Sequence, residues 1–302
     1  GNEGISAQWS SQAVIAHTTG IDVFLDGHSH EQYERTLPNR EGKDVVLAQT
    51  GTGLTAIGQV ILDPVTGEIQ AELVAGYAGR DPEMEEEIAA VQAQYEEQLS
   101  QVVGSTDVAL VTTDPATGEY WVRSRETNLG DFCADAYRAV MGADIAFVNG
   151  GGIRASIAAG DITKKDINTV LPFGNTLYVA EVTGAELLET LEASTYCTPE
   201  SVGAFPQVAG IQFTINTGAP FVTNETYPNS TFGKPAQINR VMIQTVGGQP
   251  FDPGETYTIV TNDFLGAGGD TYYAFKASTA GYDTGVPLDE VVMDYITAQL
   301  GG

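Results

Sequence analysis

Short apolar runs alternate with longer periodic stretches along the chain, and this pattern predicts a mixture of strands and helices. The first stretch predicts a helix ending near His17 and then a buried strand ending at Leu25. Three more strands follow, at Val45 to Gln49, Ile57 to Leu62 and Ile69 to Val74. The last two flank a turn, Asp63-Pro64-Val65-Thr66-Gly67-Glu68, in which Pro and Gly suit a hairpin.

The clearest predicted helix begins at Pro82, with Asp81 as its N-cap, and is expected to end at Gly104. Its apolar residues recur every three or four positions, at Met84, Ile88, Val91, Tyr95, Leu99 and Val102. They predict one apolar stripe that packs against neighbours, as in a helix connecting two domains. The acidic residues near its start fit a solvated first turn better than a metal site.

From about Ser105, strands and helices alternate irregularly, which predicts a second domain of mixed α/β or α+β type. Helices are expected from Asn128, from about Thr163, from Ala185 and from Leu288. Strands are expected to end at Val148 and to run from Leu177 to Val182.

Composition and net charge narrow the classes of partner that the chain can have. The 302 residues carry a net charge of −27 and are 42% hydrophobic, which is typical of a globular protein. So acidic a chain argues against nucleic acid polymers and anionic membranes as partners, because both are held mainly by Lys and Arg. No run of eighteen apolar residues is present to span a bilayer.

The two cysteines do not indicate whether the protein works in an oxidising or a reducing compartment. Cys133 falls on the apolar stripe of a predicted helix, which favours a small buried side chain. Cys197 falls in a loop with no obvious partner. A disulfide between them is possible, but the spacing does not determine it.

Candidate metal ligands follow the first buried strand, in the segment Asp26-Gly27-His28-Ser29-His30. In an extended segment the two imidazoles would face one side, and in a loop they could spread to reach two ions. The alternative is a pair of ordinary loop histidines, and imidazole alone does not select one transition metal.

Candidate anion- and ring-binding residues lie in later loops. The segment from Asn149 to Arg154 holds three glycines, which would let a ligand approach the backbone and its N–H groups. A tight bend is the alternative explanation for the glycines, and surface ion pairing is the alternative for Arg123, Arg125 and Arg154. Phe173 and Phe264 lie among Gly, Pro, Asn and Asp, where a ring in a loop can contact a ligand rather than a core.

Five segments together, in this order, resemble the 5′-nucleotidase family. They are Gly27 to His30, Arg123 to Asp131, Asn149 to Arg154, Leu171 to Asn175 and Phe264 to Asp270. The resemblance implies a secreted enzyme with an N-terminal two-metal phosphoesterase domain, a linker helix and a C-terminal nucleotide-binding domain. Residues 1–78 would then be the remnant of a four-layer α/β/β/α metallophosphoesterase domain, 79–104 the linker helix, and 105–302 the mixed α/β C-terminal domain.

The resemblance also implies roles for individual residues. His28 and His30 would each ligate one of two divalent ions, with zinc or manganese expected. The remaining residues would bind substrate: Phe173 and Phe264 around the base, Asn149 at the base edge, Asp270 at the ribose, Arg123 and Arg154 at the phosphate, and Gly151 and Gly152 in the glycine loop.

The family's Asp-x-His, Gly-Asp and Asn-His-Glu/Asp segments and a further ligand histidine are expected upstream of Gly1, which itself matches the residue after that histidine. The chain therefore resembles the C-terminal two-thirds of the family, and no catalytic residue is assigned within it. An association with the missing N-terminal segment is expected, in an extracellular, periplasmic or cell-surface location.

Three functions follow as hypotheses. The first is the nucleotide-binding portion of a metal-dependent hydrolase that converts nucleotides to nucleoside and phosphate, with cyclic-nucleotide or nucleotide-sugar hydrolysis as variants. The second is a nucleotide-binding module without hydrolytic activity. The third, a surface structural or adhesive protein, leaves the paired Phe loops and the Arg motifs unexplained.

Overall fold

The strands and helices predicted from the pattern are largely present in the computed structural model, which describes residues 10–278 and 280–302. The chain divides into two units, residues 1–90 and 91–302. Gly1, which the resemblance places next to a family histidine, lies outside the described residues. In the described ranges, no helix is both long enough and apolar enough to cross a membrane.

The described part of the first unit contains one short helix and five strands before the connecting helix. In chain order they are α1 (Ser11–His17), β1 (Val23–Leu25), β2 (Gln32–Pro38), β3 (Asp44–Thr50), β4 (Ala56–Leu62) and β5 (Ile69–Ala75). Strands β1, β3 and β2 form a three-stranded sheet in that order, and β4 pairs with β5 as a hairpin. The sequence pattern missed β2, because Tyr33 and Leu37 are the strand's only large apolar residues.

Strand β1 is less buried than its apolar sequence predicts. It pairs in parallel with β3 and lies at the edge of the described sheet. Leu25 is 68% exposed, whereas Ile15, Val45 and Leu47 form a buried cluster in the described part of this unit. The prediction of a buried strand is wrong for Leu25, because no described strand pairs with the other edge of β1.

The turn at Asp63 to Glu68 has the expected hairpin geometry, and a near copy recurs at Asp114 to Glu119. The Asp63 carboxylate accepts N–H groups from Val65, at 2.7 Å, and Thr66, at 3.2 Å. Asp114 accepts the corresponding N–H of Ala116 at 2.8 Å. These short-range bonds explain why one hexapeptide gives the same turn in two different settings.

The connecting helix α2 (Pro82–Leu99) begins as predicted and ends earlier. Asp81 accepts the N–H groups of Glu83, at 3.0 Å, and Met84, at 3.3 Å, so it is the N-cap. Gly104 is not the stop, because residues 102–106 form a strand. No residue of α2 is buried, so the prediction of a packed stripe is wrong for the described residues. The domain division at residues 78 and 104 stays a prediction.

Beyond the connecting helix, the described residues of the second unit form twelve strands and six α-helices. The strands are β6 (Val102–Thr106), β7 (Ile145–Asn149), β8 (Gly160–Thr163), β9 (Thr176–Thr183), β10 (Pro206–Ala209), β11 (Ile211–Ile215), β12 (Thr223–Thr226), β13 (Gly233–Pro235), β14 (Val241–Val246), β15 (Gln249–Pro250), β16 (Thr256–Asn262) and β17 (Tyr282–Pro287). The helices are α3 (Asn128–Met141), α4 (Lys164–Val170), α5 (Gly184–Ser194), α6 (Asp263–Gly266), α7 (Tyr273–Ala277) and α8 (Leu288–Asp294), and the last is followed by a π-helical stretch, Tyr295–Leu300.

A five-stranded sheet in the order β10-β7-β16-β9-β17 forms the centre of this unit. Strands β7 and β16 are parallel, whereas the other pairs are antiparallel. All five residues of β7 are buried, and alternate side chains enter two different cores. Ala146 and Val148 belong to the core that includes α3 and α8, and Phe147 belongs to the core that includes α5 and α7. The fold is therefore mixed α/β, as predicted.

Both cysteines are free thiols. Cys133 is 1% exposed in the core beside α3, and burial raises the pKa of its thiol to about 12. The prediction of a buried apolar role for Cys133 is confirmed. Cys197 is only partly exposed, and burial raises the pKa of its thiol as well.

A buried carboxylate ties α5 to β14. Glu192 is 0% exposed and accepts the backbone N–H groups of Arg240, at 2.9 Å, and Val241, at 3.0 Å. The Arg240 guanidinium, 4% exposed, donates to the carbonyl oxygens of Thr195 and Thr198. Charges buried this deeply are tolerated because other polar groups satisfy them.

We expect Glu192→Ala to lower the free energy of unfolding by about 1–3 kcal/mol for each of the two buried N–H donors, those of Arg240 and Val241, that it leaves without an acceptor. Thermal or urea denaturation followed by circular dichroism measures the change. Glu181→Ala is the matched control, since Glu181 is exposed on β9 and should cost little. Equal losses in the two variants would contradict this account of Glu192.

Candidate functional site

A chain of hydrogen bonds joins three polar side chains at the ends of the central strands. Asn149 ends β7 and Asn262 ends β16, and these parallel neighbours bring their carboxyl ends to the same edge of the sheet. Asn262 Nδ2 donates to Asn149 Oδ1 at 3.0 Å, and Asn149 Nδ2 donates to Asp270 Oδ2 at 3.2 Å. Both asparagines are buried, so the amides hold the Asp270 carboxylate in place.

Local backbone conformation brings Asp270 back to this edge. Asn262 caps α6 by accepting the N–H of Leu265 at 2.8 Å, so the chain turns directly out of the strand. Gly268 and Asp270 then have positive φ angles of 83° and 51°. Asp is one of the few residues other than Gly that adopt this left-handed conformation at low cost.

Two exposed phenyl rings flank the polar cluster. Phe173 is 60% exposed and Phe264 is 45% exposed, so the alternative that both are core residues is wrong. A hydrogen bond of 2.6 Å from Asn175 Nδ2 to Asp263 Oδ1 ties the two ring-bearing segments together. The rings project into solvent from neighbouring segments, an arrangement that suits stacking on a flat ligand.

Phe264 lies in the short helix α6 rather than in a loop, which corrects the sequence interpretation. Its ring also explains why residue 269 is a glycine. A Cβ atom added at Gly269 would lie 2.6 Å from the Phe264 ring, which is closer than real Cβ contacts. Within the segment from Phe264 to Asp270, Gly269 therefore packs directly against the Phe264 ring.

Arg154 lies beside the first ring. Its Nη1 donates to the carbonyl oxygen of Gly151 at 3.2 Å, and its Cζ lies 5.7 Å from the centroid of the Phe173 ring. The guanidinium is partly exposed and has donors to spare after this single bond. It could therefore bind an anion next to the Phe173 ring.

Arg123 is half-buried, with its Cζ 5.6 Å from the centroid of the Tyr120 ring. Its backbone carbonyl oxygen accepts the N–H of Val202 at 2.9 Å. Arg125 is exposed and pairs with Glu119 at 3.5 Å, which fits the surface ion-pair alternative for that residue.

The glycine loop works differently from the sequence expectation. The N–H of Gly150 donates to Phe205 O at 2.8 Å, and the N–H of Gly151 donates to Gly203 O at 2.8 Å. The expectation that these groups point at a ligand is therefore wrong for Gly150 and Gly151. A Cβ added at Gly150 would lie 2.1 Å from Val122 O, so here the lack of a side chain permits close packing of two backbones.

Gly152 lines a small cavity behind the Phe173 ring, together with Asn175, Asn262 and the buried Tyr137. Asn175, Asn262 and Asp263 are site residues that the sequence analysis did not assign. Asn175 belongs to a motif it quoted, and Asn262 and Asp263 directly precede another, but their part in the hydrogen bonding depends on long-range contacts that spacing does not reveal.

The histidine pair lies in the first unit, in the loop after β1. His28 and His30 are exposed, and both have positive φ angles, 71° and 60°. The strand-end position is as predicted. The carboxylate of the preceding Asp26 accepts the hydroxyls of Ser11, at 2.6 Å, and Tyr33, at 2.5 Å. These bonds anchor the start of the turn and lower the pKa of Asp26, against the opposing effect of burial.

These side chains do not form a complete metal site. Within the described parts of the chain, no three residues of the types His, Cys, Asp and Glu cluster so as to hold an ion. Asp26, two positions before His28, is already bound by two hydroxyls and a backbone N–H. Two imidazoles would leave each ion of a pair with most of its coordination unfilled.

Comparisons with known proteins agree with this architecture. The family model for the 5′-nucleotidase C-terminal domain matches residues 102–277. The chain therefore belongs to the 5′-nucleotidase family. The match covers β6 to α7, which includes every candidate substrate-binding residue.

Among curated relatives, the trifunctional nucleotide phosphoesterase protein YfkN of Bacillus subtilis is 35% identical over 281 residues, or 88% of this chain and 18% of its own length. A 5′-nucleotidase of Vibrio cholerae is 32% identical over 234 residues, or 78% of this chain and 37% of its own. The chain thus spans well under half the length of these relatives.

A solved structure has the same fold. The 5′-nucleotidase precursor of Thermus thermophilus superposes with a TM-score of 0.70 at 31% identity, covering 94% of this chain and 58% of that one. The resemblance inferred from the five motifs is confirmed at the level of family and fold.

Proposed function

We propose that this chain is the nucleotide-binding portion of a metal-dependent 5′-nucleotidase-like phosphoesterase that hydrolyses nucleotides to nucleoside and phosphate. The observation that carries the proposal is the cluster at the ends of β7 and β16, where the Asn149–Asp270 pair adjoins the segments bearing Phe173 and Phe264. Family membership supports it, and the YfkN relative is named for phosphoesterase activity on nucleotides.

The base would stack on the exposed Phe173 and Phe264 rings. A base on an aromatic ring gains roughly 1–3 kcal/mol, with little preference among bases. Such a site should therefore accept several nucleosides. Gly152 and Asn175, which line the cavity behind Phe173, would border the base.

The ribose would bind at Asp270, whose carboxylate can accept hydrogen bonds from two hydroxyls. The contacts of Asn149 favour a supporting role in this step, because its amide already bonds Asn262 and Asp270. The prediction that Asn149 meets the base edge stays a prediction. An Asp held in position before binding loses less entropy when the sugar arrives.

The phosphate would bind at Arg154 and Arg123. Guanidinium groups bind phosphate through paired, charge-assisted hydrogen bonds. Arg154 is anchored at one end by Gly151 O and rests near Phe173, so its remaining donors would face a phosphate attached to a stacked nucleoside. Gly151 contributes through its carbonyl oxygen rather than its N–H.

The metal chemistry belongs to the whole enzyme. Two divalent ions, zinc or manganese, would supply an activated water and stabilise charge on the phosphoryl oxygens. The described residues would offer His28 and His30 toward them and no group of three ligands, so no step through the metals is derived for this chain. An N-terminal partner segment and a location outside the cytoplasm complete the proposal, and the Thermus relative is described as a precursor.

We expect Phe264→Ala to weaken adenosine binding by roughly 1–3 kcal/mol, because it removes one stacking surface for the base. Isothermal titration calorimetry on the full chain measures the change. Phe251→Ala is the control, since Phe251 stacks on Tyr257 in another part of the unit. Unchanged adenosine affinity in the Phe264 variant would show that the ring does not bind the base.

We expect Arg154→Ala to weaken AMP binding far more than adenosine binding. The lost guanidinium bonds to phosphate are worth roughly 1.5–3 kcal/mol each, and adenosine has no phosphate to lose them. Competition titrations with both ligands measure the difference. Arg80→Ala changes the net charge equally at a surface ion pair with Glu85, and should leave both affinities unchanged. Equal losses for AMP and adenosine would assign Arg154 a structural role.

We expect the 302-residue chain by itself to bind AMP without appreciable hydrolysis, even with added zinc or manganese. Two imidazoles leave two ions with incomplete coordination, so no activated water is held against phosphorus. Phosphate release measures turnover, and mass spectrometry verifies that no companion polypeptide is present. Robust release that is lost in a His28→Ala/His30→Ala double variant would prove the expectation wrong.

A further inference from the structure

Gln207 is a buried amide on β10, outside all the motifs described above. It is 1% exposed. Its Nε2 donates to the carbonyl oxygens of Val122, at 2.9 Å, and Arg125, at 2.8 Å. Its Oε1 accepts the N–H of Thr127 at 3.0 Å and lies 3.4 Å from the Thr127 hydroxyl. One side chain thus uses both amide hydrogens and its carbonyl oxygen in hydrogen bonds to a single segment, residues 122–127.

That segment carries Arg123 and has no helix or strand hydrogen bonding to define its position. The Gln207 bonds lie on both sides of Arg123, at residues 122 and 125. Backbone bonds also hold this segment, since the N–H of Val122 donates to Thr112 O at 3.0 Å and that of Val202 donates to Arg123 O at 2.9 Å. Gln207 adds bonds to three further backbone groups of the segment and so couples the position of Arg123 to β10.

The same strand connects this restraint to the substrate-binding cluster. Strand β10 pairs with β7, with Pro206 opposite Asn149 and Gln207 opposite Val148. Gly130 makes room for the amide, because a Cβ there would lie 2.1 Å from Gln207 Oε1. Strand β10 therefore contacts both the arginine segment, through the Gln207 side chain, and Asn149, through strand pairing.

We infer that Gln207 is a positioning residue that fixes the Arg123 segment relative to the Asn149–Asp270 pair and thereby sets the affinity for the phosphate of a nucleotide. The inference rests on the proposed function. Guanidinium bonds to phosphate are directional, so a displaced segment misaligns them. The groups proposed to bind the nucleoside, Phe173, Phe264 and Asp270, lie on other segments and keep their contacts.

The test compares AMP with adenosine on the full chain. Gln207→Glu keeps the shape of the side chain and removes both Nε2 donors, and Gln207→Asn keeps the amide but shortens its reach. For each variant we expect AMP affinity to fall about tenfold, the equivalent of roughly one charge-assisted hydrogen bond, with adenosine affinity changed less than about twofold. Gln212→Glu, at an exposed position on β11, is the matched charge control.

Adenosine binding also reports whether each variant is folded. Parallel losses of AMP and adenosine in both variants would overturn the inference and make Gln207 a general structural residue. Unchanged AMP affinity in both variants would overturn it too. Failure of the unaltered chain to bind either ligand would instead overturn the proposed function, and the two failures are therefore distinguishable.

Discussion

The parallel pairing of β7 with β16 is the constraint on which the candidate site depends. Because parallel neighbours end at the same edge, the pairing brings Asn149 and Asn262 within 3.0 Å of each other. The Asn262 amide donates a hydrogen bond to the Asn149 carbonyl oxygen, and the Asn149 amide nitrogen in turn donates to the Asp270 carboxylate. An antiparallel arrangement of the two strands would separate these residues by the length of the strands and leave buried amides without partners.

Glycine acts in this site mainly by allowing parts of the protein to approach one another. The positions of Gly130, Gly150 and Gly269 would each bring a Cβ within 2.6 Å or less of a neighbouring atom. These neighbours are the Gln207 amide, the Val122 carbonyl group and the Phe264 ring. The glycines in these segments therefore permit tight packing around the site as much as direct access for a ligand.

The sequence assigns candidate site residues but predicts few of their interactions. The resemblance grouped Phe173, Phe264 and Asp270 in one site, which stays a prediction, and turn chemistry predicted Asp63 and Asp81 from bonds within a few residues. The sequence analysis did not predict the contacts of Gln207 or the Asn149–Asn262 bond, because they join residues that lie eighty or more positions apart in the chain.

The sequence analysis did not predict the exposure of the apolar face of α2, for a different reason. Apolar periodicity shows that a helix has an apolar face, but it does not show whether anything packs there. Strand β2 was missed because its few apolar residues give a weak alternation. In both cases the missing information concerns neighbours rather than the segment itself.

In so strongly acidic a chain, the proposed phosphate site must be local. A net charge of −27 repels an approaching nucleotide, but salt screens such repulsion beyond about 8–10 Å. Within that distance, the partial desolvation of Arg123 and Arg154 beside aromatic rings strengthens their attraction for an anion. Stacking of the base adds a contribution that is independent of charge. A chain with thirteen basic residues could therefore bind an anionic ligand through the two proposed arginines, provided that the fold holds both in fixed positions.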